Sequence, residues 1–240
     1  MLSAAIVVTL FAAAGFMAWL VRGRSAQLLG PAVWRGPAHR RAIALTFDDG
    51  PSESTSKLLE LLARHRARAT FFVCGHHVRR LPHVAVRIAR EGHELGNHSD
   101  THEAFYLRSA DFILQQLART QQAVEEVIGL RPRLFRVPFG ARWFGLREVQ
   151  TRLGLTGVTW THIARDWSLD GRAIAARLAG RAAPGVIFCF HDGRELMHNP
   201  DIHSTLQALE LLLPQWAAAG YEFVTVSELL WNKTSNLPSA

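Results

Sequence analysis

Short apolar runs and longer amphipathic runs alternate along most of the chain. Ala42 to Phe47, Ala69 to Cys74, Leu134 to Val137, Val186 to Phe190 and Glu222 to Val226 are too short for helices. Each is bounded by Gly, Pro or polar residues and predicts a buried strand. Gly92 to Gly96 and Gly157 to Trp160 predict two more. Between them, helical spacing appears from Ser52 to about His65, His83 to Glu91, Ala110 to Ile128, Gly145 to Leu153, Gly171 to Ala182 and Ile202 to Ala219. In the longest, Phe112, Ile113, Leu117, Val124, Val127 and Ile128 share a face, and Gly129 ends the run. Pro214 is expected to interrupt or bend its helix, and Ser227 to cap a last one. Strands alternating with helices imply βαβ units and a parallel sheet. About seven strands in one α/β unit suggest a closed or nearly closed barrel, with the chemistry at the C-terminal strand ends.

Residues 1–21 break this pattern. They carry no charged side chain, and as a helix they can span a hydrocarbon core of roughly 30 Å. Trp19 sits where an interfacial aromatic would, no Lys or Arg precedes the run, and Arg22-Gly-Arg24 follows it. An uncleaved transmembrane anchor is therefore expected rather than a signal peptide. Residues 22–40 contain Gly-Pro pairs and no period and read as a linker, 41–232 as the main domain, and 233–240 as a tail. All the flanking arginines lie after the span, which by the positive-inside rule would place the domain on the cytoplasmic face, but the side of the membrane stays open.

Composition adds little to this. The chain has 240 residues, 48% of them hydrophobic, enough for one well-buried domain and an appendage. The net charge of +7 comes from scattered arginines, with no block of five like charges and no nucleic-acid motif. It favours contact with a membrane surface and no nucleic-acid partner. Cys74 and Cys189 both fall in predicted strands and read as small buried hydrophobes, not a disulfide.

The candidate chemistry lies at the predicted strand ends. Asp48 and Asp49 close the first strand ahead of Gly50-Pro51; alone they read equally as turn residues. His98 and His102 are four apart, so on a helical turn they would face one metal. With Asp49 they make two imidazoles and a carboxylate, the donor set of a catalytic zinc-type site. Arg136, Asp166 and His191 also fall just after predicted strands. His93 is expected to pack or hydrogen-bond within its strand, and Asp192 to be structural.

Five stretches then occur in order: Thr46-Phe-Asp-Asp-Gly-Pro-Ser52, His98-Ser-Asp-Thr-His102, Arg136-Val-Pro-Phe-Gly140, Asp166-Trp167 and His191-Asp192. Together they resemble the motifs of the polysaccharide deacetylase family (NodB homology, carbohydrate esterase 4) over about residues 41–232. The resemblance implies a distorted (β/α) barrel that removes N-acetyl or similar acyl groups from amino sugars with one divalent metal, zinc first, cobalt or manganese otherwise. It implies Asp48 as general base, Asp49, His98 and His102 as metal ligands, and Arg136 pairing with the base. It implies the Phe139 N–H at the oxyanion, Asp166 orienting the acid His191, and Trp167 walling the acyl pocket. The partner would be an N-acylated amino-sugar glycan or a glycolipid. Deacylation of a lipid-linked amino sugar at the cytoplasmic face, or sugar binding without catalysis, are the alternatives. Val137-Pro138 departs from the family's usual Pro-Pro. Cys189 stands where the family often has a leucine facing the acyl pocket, which leaves the acyl group open.

Overall fold

The computed structural model describes residues 2–231, with side chains from residue 6 onward. In chain order the elements are α1 (Leu2–Arg22), β1 (Ala32–Val33), β2 (Ala42–Asp48), α2 (Thr55–Arg64), β3 (Ala69–Val73), α3 (Gly75–Arg80), α4 (Pro82–Arg90) and β4 (Glu94–Asn97). There follow α5 (Ala110–Ile128), β5 (Leu134–Phe135), α6 (Leu146–Leu153), β6 (Thr156–Val158), β7 (His162–Ile163), α7 (Gly171–Leu178), β8 (Ile187–His191), α8 (His203–Ala218), β9 (Glu222–Val224) and α9 (Val226–Trp231).

The strands form one curled parallel sheet in the order β1-β6-β5-β4-β3-β2-β8-β7, with β9 also on β2. This is the expected parallel barrel-like architecture, but among the described residues nine short strands replace about seven and the hydrogen-bonded path stays open. β2 is central because every residue in it is buried. Its period of two sorts the residues. Ile43, Leu45 and Phe47 pack outward under α2, α7 and α8. Ala42 and Ala44 face inward with Phe72, Leu134, Val158 and Ile187, where Leu229 of α9 joins them. Thr46 and Asp48 continue the inward row, so the strand delivers Asp48 inside the curl at its C-terminal end.

Residues 22–40 are not a free linker. Val33 pairs with Val158 in β6, and Arg35 bridges to Val186. Thr161 Oγ1 donates to Trp34 O at 2.7 Å, and Gly36 N–H to Gly185 O at 2.7 Å. The segment straps the seam between β6 and β8. It carries too few apolar residues in sequence for that role to show as a pattern.

Among the described residues no helix is long and apolar enough to cross a membrane, so the structure does not support the expected span. The described part of α1 is nonetheless apolar and exposed, with Val8, Leu10, Phe11 and Phe16 more than half accessible. Its end is docked: Leu20 and Val21 are buried with Leu29 and Ala141, and Arg142 N–H donates to Val21 O at 2.9 Å.

Local expectations fare unevenly. α5 runs as expected, with Ser109 Oγ accepting from Phe112 N–H and Gly129 at φ 74° closing it. α8 continues through Pro214, which is exposed; Leu212, Leu213 and Trp216 pack the other face. The bond lost at a proline is tolerated where neighbouring carbonyls can turn to water. The last helix is capped by Thr225 and Glu228, whose side chains each accept from the other's N–H, and Ser227 lies inside it. α3 leaves no signal in the sequence because Gly-His-His-Val-Arg-Arg has no apolar period. The tail at 233–240 lies outside the described residues.

Candidate active site

Arg136, just after β5, reaches across the interior to β2. Its Nη1 donates to Asp48 Oδ1 at 2.6 Å and to Thr46 Oγ1 at 2.8 Å. Nε donates to Val158 O and Nη2 to Thr159 O, and the guanidinium lies 4.1 Å from the Phe72 ring centre. Its side chain is 0% exposed and that of Asp48 4%, so each charge depends on the other.

Asp49 leaves the strand with φ 71°, a left-handed conformation that Asp tolerates. That turn swings the second carboxylate to the same side as the first. A Cβ on Gly50 would strike the Asp192 carboxylate, and one on Gly193 the Asp49 carbonyl, so both glycines permit this close approach. Asp49 Oδ2 accepts from Glu195 N–H at 3.0 Å. Oδ1 faces His98 Nε2 at 3.4 Å and His102 Nε2 at 3.1 Å, and is buried without a hydrogen-bond partner.

The two histidines do not share a helical turn as expected. They sit in the loop after β4, where Ser99 at φ 68° and His102 at φ 55° fold the chain back. Asn97 Oδ1 accepts from Ser99 N–H, and Ser99 Oγ from His102 N–H. His98 Nδ1 lies 2.8 Å from Arg136 O, which can only accept, so Nδ1 carries the proton and Nε2 keeps its lone pair. That lone pair and a carboxylate oxygen then point at one another with no donor between them. Three convergent ligand atoms of this kind fit a divalent cation.

His191, at the end of β8, lies opposite Asp48 in register. Its Nδ1 is 2.8 Å from Asp166 Oδ1, while Asp166 Oδ2 accepts from His191 N–H at 2.8 Å and from Thr205 Oγ1 at 2.6 Å. Burial alone would lower the His191 pKa; the Asp166 carboxylate outweighs it and pushes the imidazole up to about 9. Burial raises Asp166, but the charge and hydrogen bond of His191 bring it below the ordinary carboxylate value. Trp167 stands edge-on to His191, ring centres 5.2 Å apart. Phe139, at φ 57°, stands edge-on to His102 at 4.5 Å. The turn holding it is closed by Gly140 N–H to Val137 O and Ala141 N–H to Pro138 O, neither of which uses the Phe139 N–H.

Asp48, Asp49, His98, His102, Phe139, Trp167 and His191 line one cleft of about 710 Å³, and Arg136 and Asp166 stand behind it. Val137 and Gly140 also line it, and Arg22, Trp160, Ile163, Arg194, Glu195 and Met197 complete its wall. None of these six carried a sequence signal; Glu195 contributes its backbone N–H, and Arg22 belongs to α1. Cys189 does not face the cleft. It is buried, and its Sγ lies 3.4 Å from Asp48 Oδ2, because residues 189 and 191 share the inward face of β8. His93 accepts from Ala69 N–H at 3.2 Å, and burial lowers its pKa to about 4. Asp192 is buried beneath the site, where Thr55 Oγ1 donates to it at 2.6 Å.

The sequence matches the family model for polysaccharide deacetylase over residues 35–158. It is 35% identical over 205 residues to a peptidoglycan-N-acetylglucosamine deacetylase of Bacillus cereus, covering 84% of this chain and 93% of that protein. It is 37% identical over 207 residues to the peptidoglycan-N-acetylglucosamine deacetylase PgdA of Listeria monocytogenes, covering 85% of this chain. The match spans only 41% of that relative's length. Among solved structures, the Bc1960 peptidoglycan N-acetylglucosamine deacetylase superposes with a TM-score of 0.78 at 28% identity, covering 84% of this chain and 93% of that one. A carbohydrate esterase 4 pseudoenzyme of Bacillus anthracis superposes with a TM-score of 0.75 at 26% identity, covering 86% and 71%.

Proposed function

Since the chain belongs to the polysaccharide deacetylase family, we propose that it is a metal-dependent hydrolase that removes N-acetyl groups from an amino-sugar glycan. One observation carries this reading: the Asp49-His98-His102 cluster, the Asp48–Arg136 pair and the His191–Asp166 pair converge on one cleft. An amide needs a polarised carbonyl, an activated water and a proton for the departing amine, and the three groups match those needs. Asp49, His98 and His102 would hold a divalent ion, which when bound supplies carbonyl polarisation and a more acidic water.

The chain's own residues do the rest. Asp48, held at Oδ1 by Arg136, takes the proton of the attacking water at Oδ2. Phe139 N–H donates to the oxygen on which charge develops. His191, held at Nδ1 by Asp166, gives a proton from Nε2 to the leaving nitrogen. Trp167 walls the space for the acyl methyl. The relatives' substrates support peptidoglycan or a chitooligosaccharide as the glycan. The intact set of reactive groups argues against a sugar-binding role without catalysis, although one structural neighbour is a pseudoenzyme.

The test is acetate release from N-acetylated glycans by the full chain, stripped of metal with a chelator and then reloaded. Activity should vanish on stripping and return with one equivalent of zinc, cobalt or manganese. His102→Ala should retain one ion per chain fewer than the wild type under the same dialysis, read by elemental analysis. Turnover that persists in the stripped chain sinks the reading.

The pH profile tests the acid. A histidine whose pKa is raised in the folded state is protonated below that value, so activity should fall as pH rises through about 9. In Asp166→Asn the largest supporting charge is gone while those of Asp49 and Asp48 remain, and the alkaline limb should move to lower pH. An unmoved limb removes His191 from the role.

The exposed apolar side chains of α1 support association of the N-terminal helix with lipid, which would make a glycolipid accessible as well as a polymer. Release of acetate from glycan fragments but not from a lipid-linked amino sugar would decide for the polymer.

A further inference from the structure

Asp48, Cys189 and His191 form a second convergent set of ligand atoms. All three side chains leave the inward faces of adjacent strands. Thr46 pairs with Cys189 and Asp48 with His191 across β2 and β8, so Asp48 leans back one step to meet the thiol. The Sγ to Oδ2 separation is 3.4 Å. Zinc bonds of about 2.3 Å to sulfur and about 2.0 Å to oxygen would subtend about 104° across that gap, close to tetrahedral. Asp48 Oδ1 is taken by Arg136 and His191 Nδ1 by Asp166. Asp48 is thereby left with Oδ2, which also lies 3.9 Å from His98 Nε2, His191 is left with Nε2, and Cys189 offers Sγ. Held imidazoles and carboxylates of this kind are typical of metal ligands.

We propose that Asp48, Cys189 and His191 form a second, thiolate-containing site for a soft divalent cation such as zinc or cadmium, distinct from the Asp49-His98-His102 cluster. On binding, Cys189 releases its thiol proton to solvent and Sγ becomes a ligand. The site selects for thiophilic ions because it offers one sulfur, one nitrogen and one oxygen, whereas the first offers no sulfur. An ion there occupies the carboxylate and imidazole that hydrolysis would use, so excess zinc or cadmium inhibits. This goes beyond the proposed hydrolysis, and its main readout does not depend on turnover.

The probe is cadmium, titrated into the metal-stripped full chain while ultraviolet thiolate-to-cadmium absorption and bound metal are followed. The wild type should bind two ions, with the absorption growing as the second site fills. Cys189→Ser should bind one ion and show no absorption. Cys74→Ser should behave as wild type, since Cys74 is equally buried but belongs to neither cluster. One ion and no thiolate absorption in the wild type overturns the proposal, whatever the variants do. Absorption that survives Cys189→Ser and is lost in Cys74→Ser overturns it as well. Melting curves of both variants show that they are folded, and Cys189→Ala serves if serine fails to fold.

Discussion

Asp48→Asn is expected to lower acetate release by about 10²–10⁴-fold, the usual range for losing a general base. The amide cannot accept the water's proton at neutral pH, yet it fits the same space. Its oxygen can still accept from Arg136 Nη1, which lies 2.6 Å from Asp48 Oδ1. Arg136 also keeps Thr46 Oγ1, two backbone carbonyls and the Phe72 face. The fold should therefore survive. Asp49, His98 and His102 are untouched, so metal content at the first cluster should match the wild type. The checks are initial rates at saturating glycan, elemental analysis and a thermal melt on one preparation. Wild-type turnover would remove Asp48 from its role. Lost turnover together with metal lost from the first cluster would mean that Asp48 is itself a ligand of that cluster.

Arg136→Met is expected to destabilise the protein by about 3–5 kcal/mol, read as a lower urea midpoint at unchanged slope. Methionine covers much of the guanidinium's apolar contact but leaves the Asp48 charge buried with no cation beside it. Thr46 Oγ1 retains its own bond to Phe188 O at 2.7 Å, so the hydroxyl is not stranded. The carbonyls of Val158 and Thr159 do lose their donors. Combining the change with Asp48→Asn should recover part of the loss, because the second substitution removes the stranded charge. A double variant as unstable as the sum of the two would show that the ion pair is not what holds Arg136 in place. Activity should fall in Arg136→Met as well, since Asp48 Oδ1 loses its partner.

Both predictions depend on which face of β2 each side chain takes. The alternation from Ala42 to Asp48 is legible in the sequence, because a buried strand must put every second residue on one face. The polar side chains that meet at the cleft are legible too, as are the order of strands and helices and the family's five motifs. The length of α5 follows from its apolar spacing and Gly129. A purely local signal suffices wherever the determining contacts are within a few residues.

Distant contacts override the local signal elsewhere. The spacing of His98 and His102 suggests a helical turn. The structure uses a folded loop, with Ser99 and Asn97 supplying the bonds a helix would have made. Cys189 occupies a position that the resemblance assigns to the acyl pocket, and it instead stands behind Asp48. Residues 22–40 read as a linker, yet they strap the seam of the sheet through backbone bonds that any sequence could make. β7 has two residues and no periodicity to detect.

The amino-acid sequence by itself determined the parallel α/β architecture, the buried centre at β2 and the polar side chains that the structure gathers at one cleft. Local periodicity and residue chemistry are properties of short stretches and need no partner. Only the tertiary structure decided that Asp48 faces Arg136 while Asp49 turns toward two imidazoles. It also decided that the Arg136 carbonyl sets the His98 tautomer and that Asp166 lifts His191. Those facts join residues up to 88 positions apart. They depend on strand order, register and positive φ at Asp49, Ser99 and His102, none of which leaves a pattern along the chain.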